Sequence, residues 1–139
     1  MPSKGQFTGM RGVYLVAAEL SRHGFIASPT SRSARGADIL VTDEHCKHAC
    51  SVQVKTNAST FGFWLLSNHA KEMVSPTHFY VLVNLKKDGQ IEHFVVPSKV
   101  VARRMAADKQ KGRWWYSISY KKVRKFENRW SLLGKRGAT

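Results

Sequence analysis

Acidic side chains are scarce in this sequence: nine Asp and Glu stand against 23 Lys and Arg in 139 residues, a formal charge of +14 at pH 7. So large a positive field disfavours cationic partners and attracts polyanions, nucleic acid before anionic membrane or acidic protein. The imbalance is concentrated late in the chain, where residues 101–139 hold 12 basic and 2 acidic residues against 11 and 7 in residues 1–100. Long apolar runs are missing too. None is long enough to cross a bilayer, and the opening Met-Pro-Ser-Lys-Gly-Gln lacks the apolar segment of a secretory signal, so a cytoplasmic location with no membrane partner is expected. Repeats, low-complexity tracts and long linkers are absent, leaving a single domain over residues 1–139. There is no Gly-rich phosphate loop, and no convincing Ser-His-Asp or Cys-His arrangement.

Cysteine occurs only at Cys46 and Cys50, which excludes a disulfide framework. With His45 and His48 the pair suggests zinc. In an extended chain, however, Cys46, His48 and Cys50 lie roughly 6.5 to 7 Å apart in turn, too far to share one tetrahedral ion with Zn–S bonds of about 2.3 Å. A tight turn would be needed to gather them; the preferred reading is a polar hairpin tip with reduced thiols.

What is present is concentrated between Arg35 and Asn57. Two short β-branched runs, Ile39 to Val41 and Val52 to Val54, flank a turn-like segment and read as a hairpin. Alternation puts Val52 and Val54 on one face and Gln53 and Lys55 together on the other. Asp38 stands at the mouth of the first strand, so pairing would bring its carboxylate near the polar face. Upstream, Met10, Val13, Tyr14, Ala17 and Leu20 recur at helical spacing from Thr8, a plausible N-cap, to His23, with Gly24 closing the helix and Glu19 inside it. Phe25 to Ser28 reads as an edge strand. The small-residue loop that follows carries Arg32 and Arg35 into Asp38, where phosphate contacts are expected.

The order Glu19, Asp38, Gln53-Val54-Lys55 resembles the active-site pattern of the PD-(D/E)xK, or restriction-endonuclease-like, nuclease superfamily. Two departures stand out: Ala37 precedes Asp38 in place of proline, and Gln53 replaces the usual acid, a QxK variant. The resemblance implies a mixed sheet with an αβββαβ core and an endonuclease acting on DNA. It further implies Mg²⁺ or Mn²⁺ held by Asp38, the Gln53 side-chain oxygen and the Val54 carbonyl, with Glu19 acting directly or through water. Lys55 would orient the attacking water, and a homodimer is compatible with this role. The alternative is a catalytically inactive DNA-binding module on the same fold, favoured by Gln53 because an amide oxygen is a weaker ligand than a carboxylate.

The rest of the chain supplies strands and helices. Thr60 to Leu66 is an aromatic cluster read as core, and Ser67 to Val74 a short helix ended by Pro76. Phe79–Leu85 and Ile91–Val96 form a hairpin around Asp88-Gly89. Ser98 caps a helix to about Gln110, ended by Gly112, and Trp114, Tyr116, Ile118 and Tyr120 line one face of a strand. Last comes an amphipathic helix with Val123, Phe126, Trp130 and Leu133 inward. Its outer faces carry Lys121, Lys122, Lys125 and Arg129, the expected DNA-binding handle. Membrane-surface binding fits that pattern too, but the apolar stripe is narrow and most simply docks on the sheet. The sum is an α/β protein around a mixed sheet.

Overall fold

The computed structural model describes residues 2–31 and 36–134. A helix, Lys4–Arg22 (α1), opens the chain behind a capping box in which the Ser3 hydroxyl accepts the Gln6 N–H and the Gln6 side chain accepts that of Ser3. The box moves the start a full turn ahead of Thr8, which lies inside the helix. At the other end Gly24 takes a left-handed φ of 86° and releases the chain.

Strands Ile26–Pro29 (β1), Ile39–Thr42 (β2) and Ala49–Asn57 (β3) follow, then Phe63–Leu66 (β4), His78–Leu85 (β5) and Ile91–Pro97 (β6). A short helix, Ser98–Arg104 (α2), leads into Ala106–Gln110 (β7) and Arg113–Ser119 (β8), and the chain ends in two 3₁₀ turns and a single-turn helix, Ser131–Gly134 (α3). Five strands form the central sheet in the order β1-β2-β3-β5-β6. It is mixed, because β3 and β5 are parallel while the other neighbours are antiparallel. β5 is buried at every position, as a strand covered on both faces must be. Strands β4, β8 and β7 make a separate antiparallel sheet.

The central sheet separates two cores. On one face Val52, Val54, Val81, Val83 and Val95 pack against Val16 and Leu20 of α1, with Trp130 and Leu133 at the edge. On the other, Tyr80, Leu82, Phe94 and Val96 meet Val100 and Val101 of α2 and Trp64 and Ile118 of the small sheet. A mixed sheet flanked by helices is the expected α/β architecture. No described helix is long and apolar enough to cross a membrane.

Three local expectations give way. Residues 67–73 form successive turns, with Ala70 N–H on Ser67 O and Met73 N–H on His69 O, where a short helix was expected; seven largely polar residues lack the apolar face that would hold a helix together. The helix after Ser98 stops at Arg104, and residues 106–110, good helix formers by composition, are drawn into pairing with the aromatic strand β8. Ser98 is buried inside that helix, bonded to Ser75, and does not cap it. The expected C-terminal helix is absent because its apolar residues serve opposite faces: Val123 and Phe126 join the core under α2, whereas Trp130 and Leu133 join the core under α1. A straight helix cannot reach both. Instead the chain passes round the β6 edge, bridging Phe94 to Glu127 and turning at Asn128 with φ 55°.

Candidate functional site

β2 and β3 pair only from Ile39–Val52 to Thr42–Ala49, whereas β3 runs on to Asn57. Beyond Val52 the β2 side of β3 has lost its ladder partner, and Asp38 fills that place. Its backbone N–H donates to Val52 O at 2.8 Å and its carboxylate Oδ2 accepts the Val54 N–H at 2.8 Å. Thr30 holds it from the other side, donating its N–H to Asp38 O and its hydroxyl to Ala37 O. The same register, continued one residue, sets Asp38 opposite Gln53, and Lys55 lies two residues on along that face.

Lys55 is half-buried, and burial pushes its ammonium pKa below the ordinary 10.5 while the Asp38 carboxylate pulls it back up. Asp38 also reaches His78, a residue the sequence reading passed over. Burial lowers the His78 pKa, with Ser51 and Asp38 acting in the opposite sense. His78 pairs with Ser51 across the parallel β3–β5 step, Ser51 Oγ and His78 Nδ1 lying 2.7 Å apart. Gln53 likewise faces Tyr80, whose buried hydroxyl has no hydrogen-bond partner. The available signal was the spacing Ser51, Gln53, Lys55, three polar residues on one face of a strand.

Two adjoining cavities open at this fork. One, of about 300 Å³, lies between α1 and the strands and is lined by Gly9, Met10, Val13, Thr30, Asp38 and Val54. The other, of about 560 Å³, is lined by Lys4, Thr8, Lys55, Asn57, Thr60 and Phe63. They share Gly5. Helix and strand come this close because Gly12 sits on β3, where an added Cβ would land on Thr56 Oγ1.

Glu19 is not brought to this site. Its carboxylate pairs with Arg22, Nη2 to Oε1 at 2.9 Å and Nε to Oε2 at 3.2 Å, and that bond is the main cause of its lowered pKa. It lies about 14 Å along the helix axis from Met10, and α1 holds no other acid. Asp38 is therefore the sole carboxylate among the described lining residues. No group of three His, Cys, Asp or Glu among the described residues is placed to hold a metal ion. The hairpin tip is no exception: Asp43 Oδ1 accepts the N–H groups of His45 and Lys47, and Cys46 is exposed at φ 58°.

Of the expected DNA contacts, Arg32 and Arg35 fall outside the described residues. Lys121, Lys122, Lys125 and Arg129 are all exposed. They belong to the segment that bridges β6 at Glu127, across the sheet from β2, and Lys121, Lys122 and Lys125 line a depression together with Arg104 and Arg124.

No family model matches the sequence, and no curated protein matches it. Among solved structures, that of Archaeoglobus fulgidus Hjc, a Holliday junction resolvase from an archaeal hyperthermophile, aligns with a TM-score of 0.58 at 13% identity, over 92% of this chain and 97% of that one. At that identity the likeness is one of fold, and the chain has the mixed, helix-flanked sheet of a restriction-endonuclease-like α/β protein.

Proposed function

We propose that this chain is a nuclease that hydrolyses DNA phosphodiester bonds as an endonuclease with the help of a divalent cation, Mg²⁺ or Mn²⁺. The observation that carries the reading is Asp38, locked at the strand fork opposite Gln53 with its field reaching Lys55 on the same face. Asp38, the Gln53 amide oxygen and the Val54 carbonyl are oxygen donors of the kind a hard cation takes. With one carboxylate among them, these residues would supply part of the ion's oxygen ligands and leave the rest to water and the substrate phosphate. When bound, it would acidify an attacking water and offset charge on the scissile phosphate. Lys55 orients that water and balances charge developing on the phosphoryl oxygens. Lys4 and the hydroxyls of Thr8 and Thr60 receive the neighbouring backbone phosphates in the adjoining cavity. Flanking DNA is drawn to Arg32 and Arg35 and to the Lys121, Lys122, Lys125 and Arg129 surface. A cytoplasmic location and a homodimer offering two such sites belong to the same proposal.

The lone carboxylate favours a second reading, a DNA-binding module that does not cut. Incubating the protein with supercoiled plasmid and with a four-way DNA junction, the substrate type named for Hjc, in Mg²⁺, Mn²⁺ or EDTA decides between them. A nuclease cuts with metal, and cutting is lost in EDTA, in Asp38→Asn and in Lys55→Ala. The last variant keeps its DNA affinity within about twofold, because binding is spread over many phosphates. A protein that retards the DNA and leaves it intact in every condition is the binding module.

A further inference from the structure

The β7–β8 hairpin takes no part in the site described above. Its strands are joined by Lys111 and Gly112, both left-handed at φ 50° and 78°, as a two-residue type I′ turn requires. Every residue of β7 is exposed. Near the tip Trp114 and Trp115 are 57% and 41% exposed, whereas Trp64 and Trp130 are buried at 1% and 3%. Each exposed indole carries a cation: Lys109 Nζ is 6.0 Å from the Trp114 ring centroid and the Arg113 guanidinium carbon 5.3 Å from that of Trp115. Lys111 adds a third positive charge at the turn.

Alternation along β8 places Trp115 and Ser117 on the outer face of the small sheet with Phe63 and Leu65 of β4, around a depression of about 510 Å³. Phe63 and Leu65 also line the cavity that holds Lys55. A single surface therefore runs from Lys55 to Trp115, apolar along its floor at Phe63 and Leu65, with Asp108 and Gln110 beside Trp115 and the cations Lys111 and Arg113 at the hairpin tip. A second copy of the chain seated there about a two-fold axis would bring its own Lys111 and Arg113 against these. A polyanion meets the charge instead, and the flat apolar faces suit bases that are not already stacked in a duplex.

We propose that this outer face is a platform for unpaired nucleobases. Trp115 stacks on a base, Phe63 and Leu65 floor the depression, and Lys111 and Arg113 take the flanking phosphates. The proposal rests on the nuclease reading only in supposing that the strand continues from Lys55. Binding measured in EDTA tests it apart from cleavage, since failure of the chain to cut DNA does not alter these titrations. A short oligothymidylate should quench the exposed tryptophan emission. Trp115→Leu, which keeps apolar bulk without an aromatic face, should weaken oligothymidylate binding by about tenfold or more and binding of a blunt duplex of equal length by less than about twofold. Trp115→Phe should recover most of the loss. The platform is overturned if Trp115→Leu binds oligothymidylate like wild type, or loses both ligands equally. It is also overturned if sedimentation shows that the variant only dissociates a dimer while its oligothymidylate affinity is unchanged.

Discussion

Gln53 stands where the resemblance expects an acid, opposite Asp38, the one carboxylate among the described residues that line the cavity under α1. Gln53→Glu would place a second carboxylate on that face beside Asp38. The variant should melt lower than wild type in EDTA and recover as Mg²⁺ or Mn²⁺ is titrated in, by linkage of ligand binding to folding. Melts that ignore the metal would remove Gln53 from the ion's surroundings. A different residue links stability to acid pH. His93 is buried against Trp130 with its Nε2 unpartnered, and burial lowers its pKa from the ordinary 6.5, with Glu19 opposing and Arg22 adding to the shift. Since the unfolded chain takes up that proton first, the stability is complete above about pH 6.5 and falls as pH drops through the lower folded pKa. His78 contributes in the same sense. His93→Gln should therefore flatten part of the loss of melting temperature between neutral and mildly acidic pH, and an unchanged profile would assign the loss elsewhere. Asp38 and Lys55 were legible as a pair from strand alternation. The position of Glu19 was not, because a helical spacing does not say which turn of α1 covers the strand fork.

At the scale of elements, α1 is seated by a spacing visible in the sequence but passed over, Gly5, Gly9 and Gly12, which recur on one helix face. Gly12 lies directly over Thr56 of β3. Gly12→Ala should destabilise the protein by about 1 to 3 kcal/mol through overpacking, despite alanine's better helix propensity. Thr56→Ala, which removes the hydroxyl the new methyl would strike, should restore part of this. Denaturant melts of the single and double variants measure both, and a stabilised Gly12→Ala would mean that α1 rides higher on the sheet. The period-two alternation of Trp114 to Lys121 reads as a strand, and the strand forms over Arg113–Ser119, while Tyr120 and Lys121 turn into a 3₁₀ helix. The same reasoning failed at residues 106–110, where Ala-Ala-Asp-Lys-Gln prefers helix locally and only a partner strand distant from any local signal decides otherwise.

Across the whole molecule, the basic surface and the strand fork lie on different parts of the sheet. Replacing Lys121, Lys122, Lys125 and Arg129 with Gln should make the slope of log K against log salt shallower by roughly 3 to 4 units on duplex DNA if all four meet phosphates. An unchanged slope would place the DNA elsewhere. All four side chains are exposed, so the substitution should leave the fold intact. The charge and its crowding after residue 100, the α/β class, the β2–β3 hairpin and the shared face of Gln53 and Lys55 follow from the sequence by itself, because charge adds up without a fold and alternation is a local property of a strand. Tertiary structure decided that Val123 and Phe126 part company with Trp130 and Leu133, that residues 106–110 become a strand, and that the turn of α1 carrying Glu19 lies away from the strand fork. Each of those outcomes depends on which surface is nearest once the sheet has closed, and no spacing along the chain carries that information.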